Sequence, residues 1–231
     1  MILNTELEYK GNLFPSKIID FKKDVDTLYF STDNDVILQL TVVRDSLLRF
    51  RYTTVGNFDN DFSYAITQYA SIGYNKLEIE EKEDCYEVLT SKLRCEISKE
   101  DMRVSIYDAK DGTLINQDEG GFHWEESYEM GGDIVKMSLK SQQGENYYGL
   151  GDKPVDNNLK GKRFQNWVTD SFAYVRGTDP IYKAIPFYTA IHNNLSYGVF
   201  FDNTFRTYFD FCHERRNITS FWAEGGEMNY Y

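Results

Sequence analysis

Leu38-Gln-Leu-Thr-Val42 and Leu48-Arg-Phe-Arg-Tyr52 place an apolar side chain at every second position and a polar one between. That is the period of a strand that buries one face and leaves the other in water. The alternation returns where Leu93, Cys95 and Ile97 face away from Arg94, Glu96 and Ser98, and again where Val135, Met137 and Leu139 face away from Lys136, Ser138 and Lys140. Turn residues separate other apolar runs. Asp111-Gly112 lies between Val104-Ser-Ile-Tyr107 and Thr113-Leu-Ile115, and Asn193-Asn194 between Phe187-Tyr-Thr-Ala-Ile191 and Tyr197-Gly-Val-Phe-Phe201, so both read as hairpins. A composition of 16% Phe, Trp and Tyr with only 4 prolines favours strands. No window sustains apolar residues at helical spacing. The expected fold is therefore all-β, a large antiparallel β-sandwich with few short helical turns. No repeat, low-complexity tract or Pro/Gly/Ser linker divides the chain, so residues 1–231 read as a single domain.

The chain carries 25 Lys and Arg against 37 Asp and Glu, a net charge of −12. So acidic a surface repels phosphate backbones and anionic lipid heads, and no concentrated basic patch offsets it; neither nucleic acid nor a membrane is an expected partner. No apolar run approaches the roughly 20 residues of a membrane span, and Met1 to Glu6 lacks the basic and apolar start of a signal peptide. A cytoplasmic location is the expectation, and it deprives the Asn217-Ile-Thr219 sequon of weight. Cys85, Cys95 and Cys212 show no ligand spacing and are odd in number, so they read as free thiols. The acidic run from Glu78 to Glu87 lacks the glycine turn of a calcium loop and reads as a solvated hairpin.

The constellations that announce an enzyme are missing. Gly149-Leu-Gly-Asp-Lys-Pro154 lacks the third glycine of a dinucleotide loop and the Gly-Lys-Ser/Thr of a phosphate loop, and it reads as a strand ending in a tight turn. His123, His192 and His213 are scattered, with no carboxylate at a spacing that defines a dyad, and each reads as a hydrogen-bonded structural residue. Trp124, Trp167 and Trp222 could stack on sugar rings, but by number alone they read as core. No cofactor or metal site is expected.

Four blocks are denser in special residues than a plain sandwich needs. They are Tyr147-Tyr-Gly-Leu-Gly-Asp-Lys-Pro154, Gly161-Lys-Arg-Phe-Gln-Asn-Trp-Val-Thr-Asp170, Thr178-Asp-Pro-Ile-Tyr-Lys-Ala-Ile-Pro-Phe187 and Tyr197-Gly-Val-Phe-Phe-Asp-Asn-Thr-Phe-Arg-Thr-Tyr-Phe-Asp210. Their order and spacing resemble glycoside hydrolase family 31, the α-glucosidase and α-xylosidase family, and within it the sandwich that precedes the catalytic barrel. Ser63-Tyr-Ala-Ile66 and the segment from Val104 to Ile115 fit the looser first half of that domain, and Trp222 to Tyr231 resembles its last strand.

The resemblance implies a galactose-mutarotase-like sandwich at the N-terminal end of a retaining α-glycosidase, most commonly an α-glucosidase. In such enzymes one carboxylate forms the glycosyl-enzyme intermediate and another acts as acid and then base. Both are barrel aspartates in the family, so no catalytic residue is expected here, and the chain reads as a fragment that is inactive alone. Its implied partners are the catalytic barrel and an α-linked oligosaccharide or glycoside. The family's sandwich lends the barrel mouth a loop whose aspartate holds sugar hydroxyls. Asp170 matches that position, and Trp167 beside it completes the expected substrate-binding pair. Two other readings compete: an autonomous carbohydrate-binding module, which needs a platform of exposed aromatics, and a mutarotase-like epimerase, which needs a histidine and a glutamate converging in one cleft.

Overall fold

The computed structural model describes residues 11–67, 77–127 and 132–231; the start of the chain, where no leader was recognised, lies outside them. The first strands are β1 (Ile18–Asp24), β2 (Thr27–Thr32), β3 (Ile37–Arg44) and β4 (Leu47–Thr53). Next come β5 (Glu78–Glu81), β6 (Cys85–Leu89), β7 (Leu93–Ser98), β8 (Val104–Asp108), β9 (Leu114–Glu125) and β10 (Ile134–Lys140). The last part of the chain supplies β11 (Asn146–Gly149), β12 (Lys162–Asn166), β13 (Phe187–His192), β14 (Leu195–Phe200), β15 (Thr207–Phe211), β16 (Ile218–Ala223) and β17 (Met228–Tyr230). No helix forms among the described residues, in keeping with an all-β fold in which at most short helical turns were expected: strand follows strand through tight turns or extended loops.

Every pairing between these strands is antiparallel. A nine-stranded sheet, ordered β12-β15-β16-β10-β9-β8-β7-β6-β5, forms one layer. A five-stranded sheet, β1-β2-β3-β4-β17, and a three-stranded sheet, β11-β13-β14, form the other. Aromatic side chains fill the space between. Tyr52 stacks on Phe122 at 4.5 Å and Phe30 meets Tyr86 at 5.1 Å beneath the five-stranded sheet. Tyr147 and Tyr188 lie 4.9 and 5.1 Å from Phe211 beneath the three-stranded one.

Both expected hairpins form. Asn193 and Asn194 adopt φ of 47° and 59°, the left-handed pair that a two-residue turn with the twist of its strands demands, and the β13–β14 register closes on His192 opposite Leu195. Gly149 ends β11 with φ 138°, and a Cβ there would stand 2.5 Å from the Phe187 carbonyl oxygen, so only glycine lets β11 reach β13. The acidic run from Glu78 is the β5–β6 hairpin. The three cysteines are free thiols, two of them buried, and burial pushes the Cys95 thiol well above its ordinary range.

One expectation fails. β4 does not leave Arg49 and Arg51 in water: both are buried, and the strand is covered on both faces. Arg49 pairs with both oxygens of Asp61 at 2.7 Å and donates to Asn229 Oδ1 at 2.9 Å. Arg51 pairs with Glu227 and donates to the Asp59 carbonyl at 2.7 Å. Guanidinium groups tolerate such burial when carboxylates and carbonyls fill their donor fork. The partners come from the connection after β4 and from β17 and its approach, neither of which alternation within β4 reveals.

Asp118 is buried at the irregularity in β9, where it accepts a bond from Val104 N at 2.8 Å. Burial raises its carboxyl to about 7, against the lowering effects of the Val104 N–H and Arg103. The folded chain therefore keeps a proton that the unfolded chain loses near pH 4. The resulting stabilisation is complete at low pH and is lost as pH rises through 7. Asp118→Asn removes this titration. Relative to the variant, the parent is expected to lose on the order of 2 kcal/mol between about pH 5 and pH 8, measured by urea unfolding at both values.

Candidate functional site

The candidate site grows from the edge strand β12. Asn166, its last residue, pairs with Thr207 of β15, and the chain then leaves the sheet in a loop that returns at β13. The base of this loop is clamped by charge. The Lys153 ammonium, with only 3% of its side chain exposed, donates to the Gln165 carbonyl at 2.9 Å and to Asp179 Oδ1 at 2.6 Å. The second oxygen of Asp179 accepts from Gln165 N at 2.5 Å. Thr169 N to Ile181 O at 3.2 Å and Ser171 Oγ to Pro180 O at 3.0 Å bind the outgoing limb to the returning one, and Ile181 is buried beneath them.

Above this clamp the loop turns its large side chains outward. Trp167 is 41% exposed and Phe172 98% exposed, and Val168, Tyr174, Val175 and Tyr182 are exposed too. Tyr174 and Tyr182 meet edge to face at 5.5 Å. Asp170 is exposed, and its carboxylate has neither a hydrogen-bond donor nor a cation partner among the described residues. It caps no turn there. The basic start of the segment is spent on structure: Lys160 donates to the Glu145 carbonyl, Lys162 to the Asn158 carbonyl, and Arg163 pairs with Asp210 and Glu214.

A cavity of about 340 Å³ lies at the root of the loop, between Asn166, Trp167, Pro186 and Phe205. Arg206 stacks its guanidinium 5.1 Å from the Trp167 ring centre. Two buried polar atoms here, Asn166 Oδ1 and Arg206 Nε, find no partner among the described residues. Groups so placed are ordinarily satisfied by water or by something that docks. Phe205 also lines a neighbouring cleft with Phe62 and Tyr64, so the exposed aromatics of three segments form one continuous surface. The Phe200 to Phe211 segment contributes only Phe205 as an exposed large side chain, since Phe201, Phe209 and Phe211 are core.

The other candidate side chains fall elsewhere. Trp124 is buried, and Trp222 lies half-buried on β16 of the nine-stranded sheet, stacked on Tyr208 at 5.0 Å. His123, His192 and His213 bond the carbonyls of Gly121, Ile115 and Gly161 at 3.0, 2.9 and 3.0 Å. Sequence spacing did not foresee that His192 comes within 3.9 Å of Glu145. Both are enclosed, at 3% and 1% exposure, and Glu145 accepts from the hydroxyls of Tyr147 and Tyr197 and from Gln142 N. A sealed carboxylate with every oxygen taken is a structural joint and not a proton-transfer cleft. Among the described residues no group of three or more His, Cys, Asp or Glu could hold a metal ion, and no helix is long and apolar enough to cross a membrane.

The chain is a two-layer antiparallel sandwich with a clamped loop that turns its aromatic side chains outward. Residues 37–210 match the family described as the glycosyl hydrolase 31 N-terminal galactose mutarotase-like domain, and the chain belongs to that family. It is similar to α-glucosidase 2 of Bacillus thermoamyloliquefaciens, with 26% identity over 84% of this chain and 24% of the relative. It is similar to an isomaltosyltransferase of Sporosarcina globispora, with 24% identity over 82% of this chain and 16% of the relative. Among solved structures, a family 31 dextranase of Flavobacterium johnsoniae, complexed with isomaltotriose or with glucose, superposes with a TM-score of 0.85 at 27% identity, covering 94% of this chain and 26% of that one. The chain thus spans about a quarter of the α-glucosidase and of the dextranase.

The Lys153 clamp yields a prediction. Lys153→Met leaves Asp179 without its cation and the Gln165 carbonyl without its donor, at a cost of about 3 kcal/mol. Thermal unfolding is expected to register the loss, and limited proteolysis is expected to cut first between residues 167 and 178. Lys153→Met combined with Asp179→Asn should recover part of the stability, because no unpaired charge remains.

Proposed function

We propose that this chain is the non-catalytic N-terminal domain of a retaining α-glycosidase, specifically an α-glucosidase, which packs on the catalytic barrel and lends the Asp170 loop to the substrate site. The observation that carries this reading is the contrast within one loop. Its base is locked by Lys153 and Asp179, while Trp167, as the chain leaves the sheet, and Asp170, further along, are exposed, and Asp170 is unpaired among the described residues. A protein orders an acceptor in this way when a partner or ligand completes it. The aromatic surface of Phe62, Tyr64, Phe205 and Trp167 suits a barrel wall, since domain interfaces within one chain bury roughly 600–1,500 Å². Single-domain organisation of residues 1–231 belongs to the same proposal.

In the complete enzyme Asp170 would accept hydrogen bonds from one or two hydroxyls of the sugar on the leaving-group side of the scissile bond. Bonds to a charged acceptor contribute roughly 1.5 to 3 kcal/mol each. Asp170→Ala is therefore expected to lower kcat/KM for disaccharides by about 10- to 100-fold while leaving the melting temperature nearly unchanged. Aryl glycosides, whose leaving group lacks those hydroxyls, should lose less. Equal losses on both substrates would remove the leaving-group assignment.

The domain by itself is expected to turn over no aryl α-glycoside, because the carboxylates that form and resolve the glycosyl intermediate are expected in the barrel, while Asp61, Asp202 and Glu227, which share an open cleft here, are engaged by Arg49, Ser63 and Arg51. Activity in the purified chain that disappears when one of its own carboxylates is replaced would overturn the non-catalytic reading.

A further inference from the structure

A second cavity, of about 450 Å³, opens on the other side of β17, where β4 and β17 meet β7, β8, β9 and β14. Its volume lies in the range of roughly 300–1,000 Å³ that holds small ligands. Leu47, Leu93, Ile106 and Leu195 give it an aliphatic wall, and Tyr197 and Tyr231 add aromatic surface. Sheet edges that close on their own core do not leave so much half-buried apolar side chain around a hollow.

Asn116 supplies the second observation. It lines the cavity, is only 9% exposed, and its amide oxygen meets no donor among the described residues. A buried acceptor without a donor is destabilising unless water or a ligand supplies one. The last torsion of an asparagine is soft, so a small rotation presents the oxygen to a hydroxyl in the cavity. The charges at the rim are spoken for. Lys92 lies 3.5 Å from Asp45, and Asp108 accepts from Lys110 N at 2.8 Å within its own turn. With no unpaired cation, the site offers nothing to an anion. What fits apolar walls, aromatic surface, the unmet Asn116 oxygen and the hydroxyls of Ser46 and Ser196, which also line the cavity, is a neutral molecule with an apolar face and a ring of hydroxyls.

We propose that this cavity binds an uncharged pyranose unit, with its apolar face against Tyr197 or Tyr231 and one hydroxyl donating to Asn116. The site is independent of the Asp170 loop and does not rest on that loop's proposed role. It would let the domain hold a glycan at a second point.

The test is titration of the isotope-labelled 231-residue chain with isomaltotriose and with maltotriose, followed by amide chemical shifts. Saturable shifts are expected at Asn116 and along β14, at millimolar sugar. Asn116→Ala should weaken binding by about three- to tenfold. Leu47→Arg, which fills the cavity from its rim without touching Asn116, should abolish the shifts and keeps the test decisive if the asparagine variant misfolds. Unchanged binding by Asn116→Ala, or no response to either sugar up to tens of millimolar, overturns the proposal. So does a cavity that responds to cyclohexanol and not to the sugars. Shifts confined to residues 166–174 also overturn it while leaving the loop reading intact.

Discussion

The structure depends on β17, a three-residue strand laid against β4. Met228, Asn229 and Tyr230 pair with Tyr52, Arg51 and Phe50 and complete the five-stranded sheet. The same strand bridges Phe201, and Tyr231 exchanges two backbone hydrogen bonds with Phe200 at 2.8 and 2.9 Å. One short segment thus joins the five-stranded sheet to the three-stranded one, and Tyr230 packs on Phe50 and Phe221 between the layers. Without it, the two sheets that share a layer would lose the bridge from Tyr230 to Phe201 and the Tyr231–Phe200 hydrogen bonds that join them. The pairing links residues far apart in the chain, so its loop-closure entropy must be offset by what it buries, which includes Arg49 and Arg51 with their carboxylates.

The proposed site inherits its position from that joint. Asp202 N bonds the Asn229 carbonyl at 2.8 Å, and Asn203 reaches the carbonyls of Gly225 and Glu227. These contacts hold the turn that carries Phe205, and Phe205 in turn faces Trp167 across the cavity at the root of the Asp170 loop. The loop is fixed from the other side by Lys153, which follows the glycine turn at the end of β11. An exposed loop held at both ends can present an aspartate to a ligand at little entropic cost, since most of the ordering has already occurred in folding.

The relatives place this domain beside more than one chemistry, a glucosidase and a transferase among them. That is consistent with the non-catalytic reading proposed above. Buried Glu145 illustrates the difference between a reactive carboxylate and a structural one. It has a histidine near it, yet the hydroxyls of Tyr147 and Tyr197 occupy both oxygens and the surrounding strands exclude solvent. Function in such a domain is sought at its surface, where acceptors remain unmet.

Local physics made much of the molecule legible in the sequence. Period-2 alternation marked β3, β4, β7 and β10, and Asp-Gly and Asn-Asn marked two hairpins, because strand pleat and turn angles depend on neighbouring residues alone. The four motif blocks pointed to the family and to Asp170. The tertiary structure decided what neighbours in sequence could not. It buried Arg49 and Arg51 by bringing Asp61 and Glu227 over them, brought His192 against Glu145, and gathered Phe62, Phe205 and Trp167 into one surface. In each case the partner comes from a distant strand or loop, and the exposure of a side chain is a property of what folds over it rather than of the residues beside it.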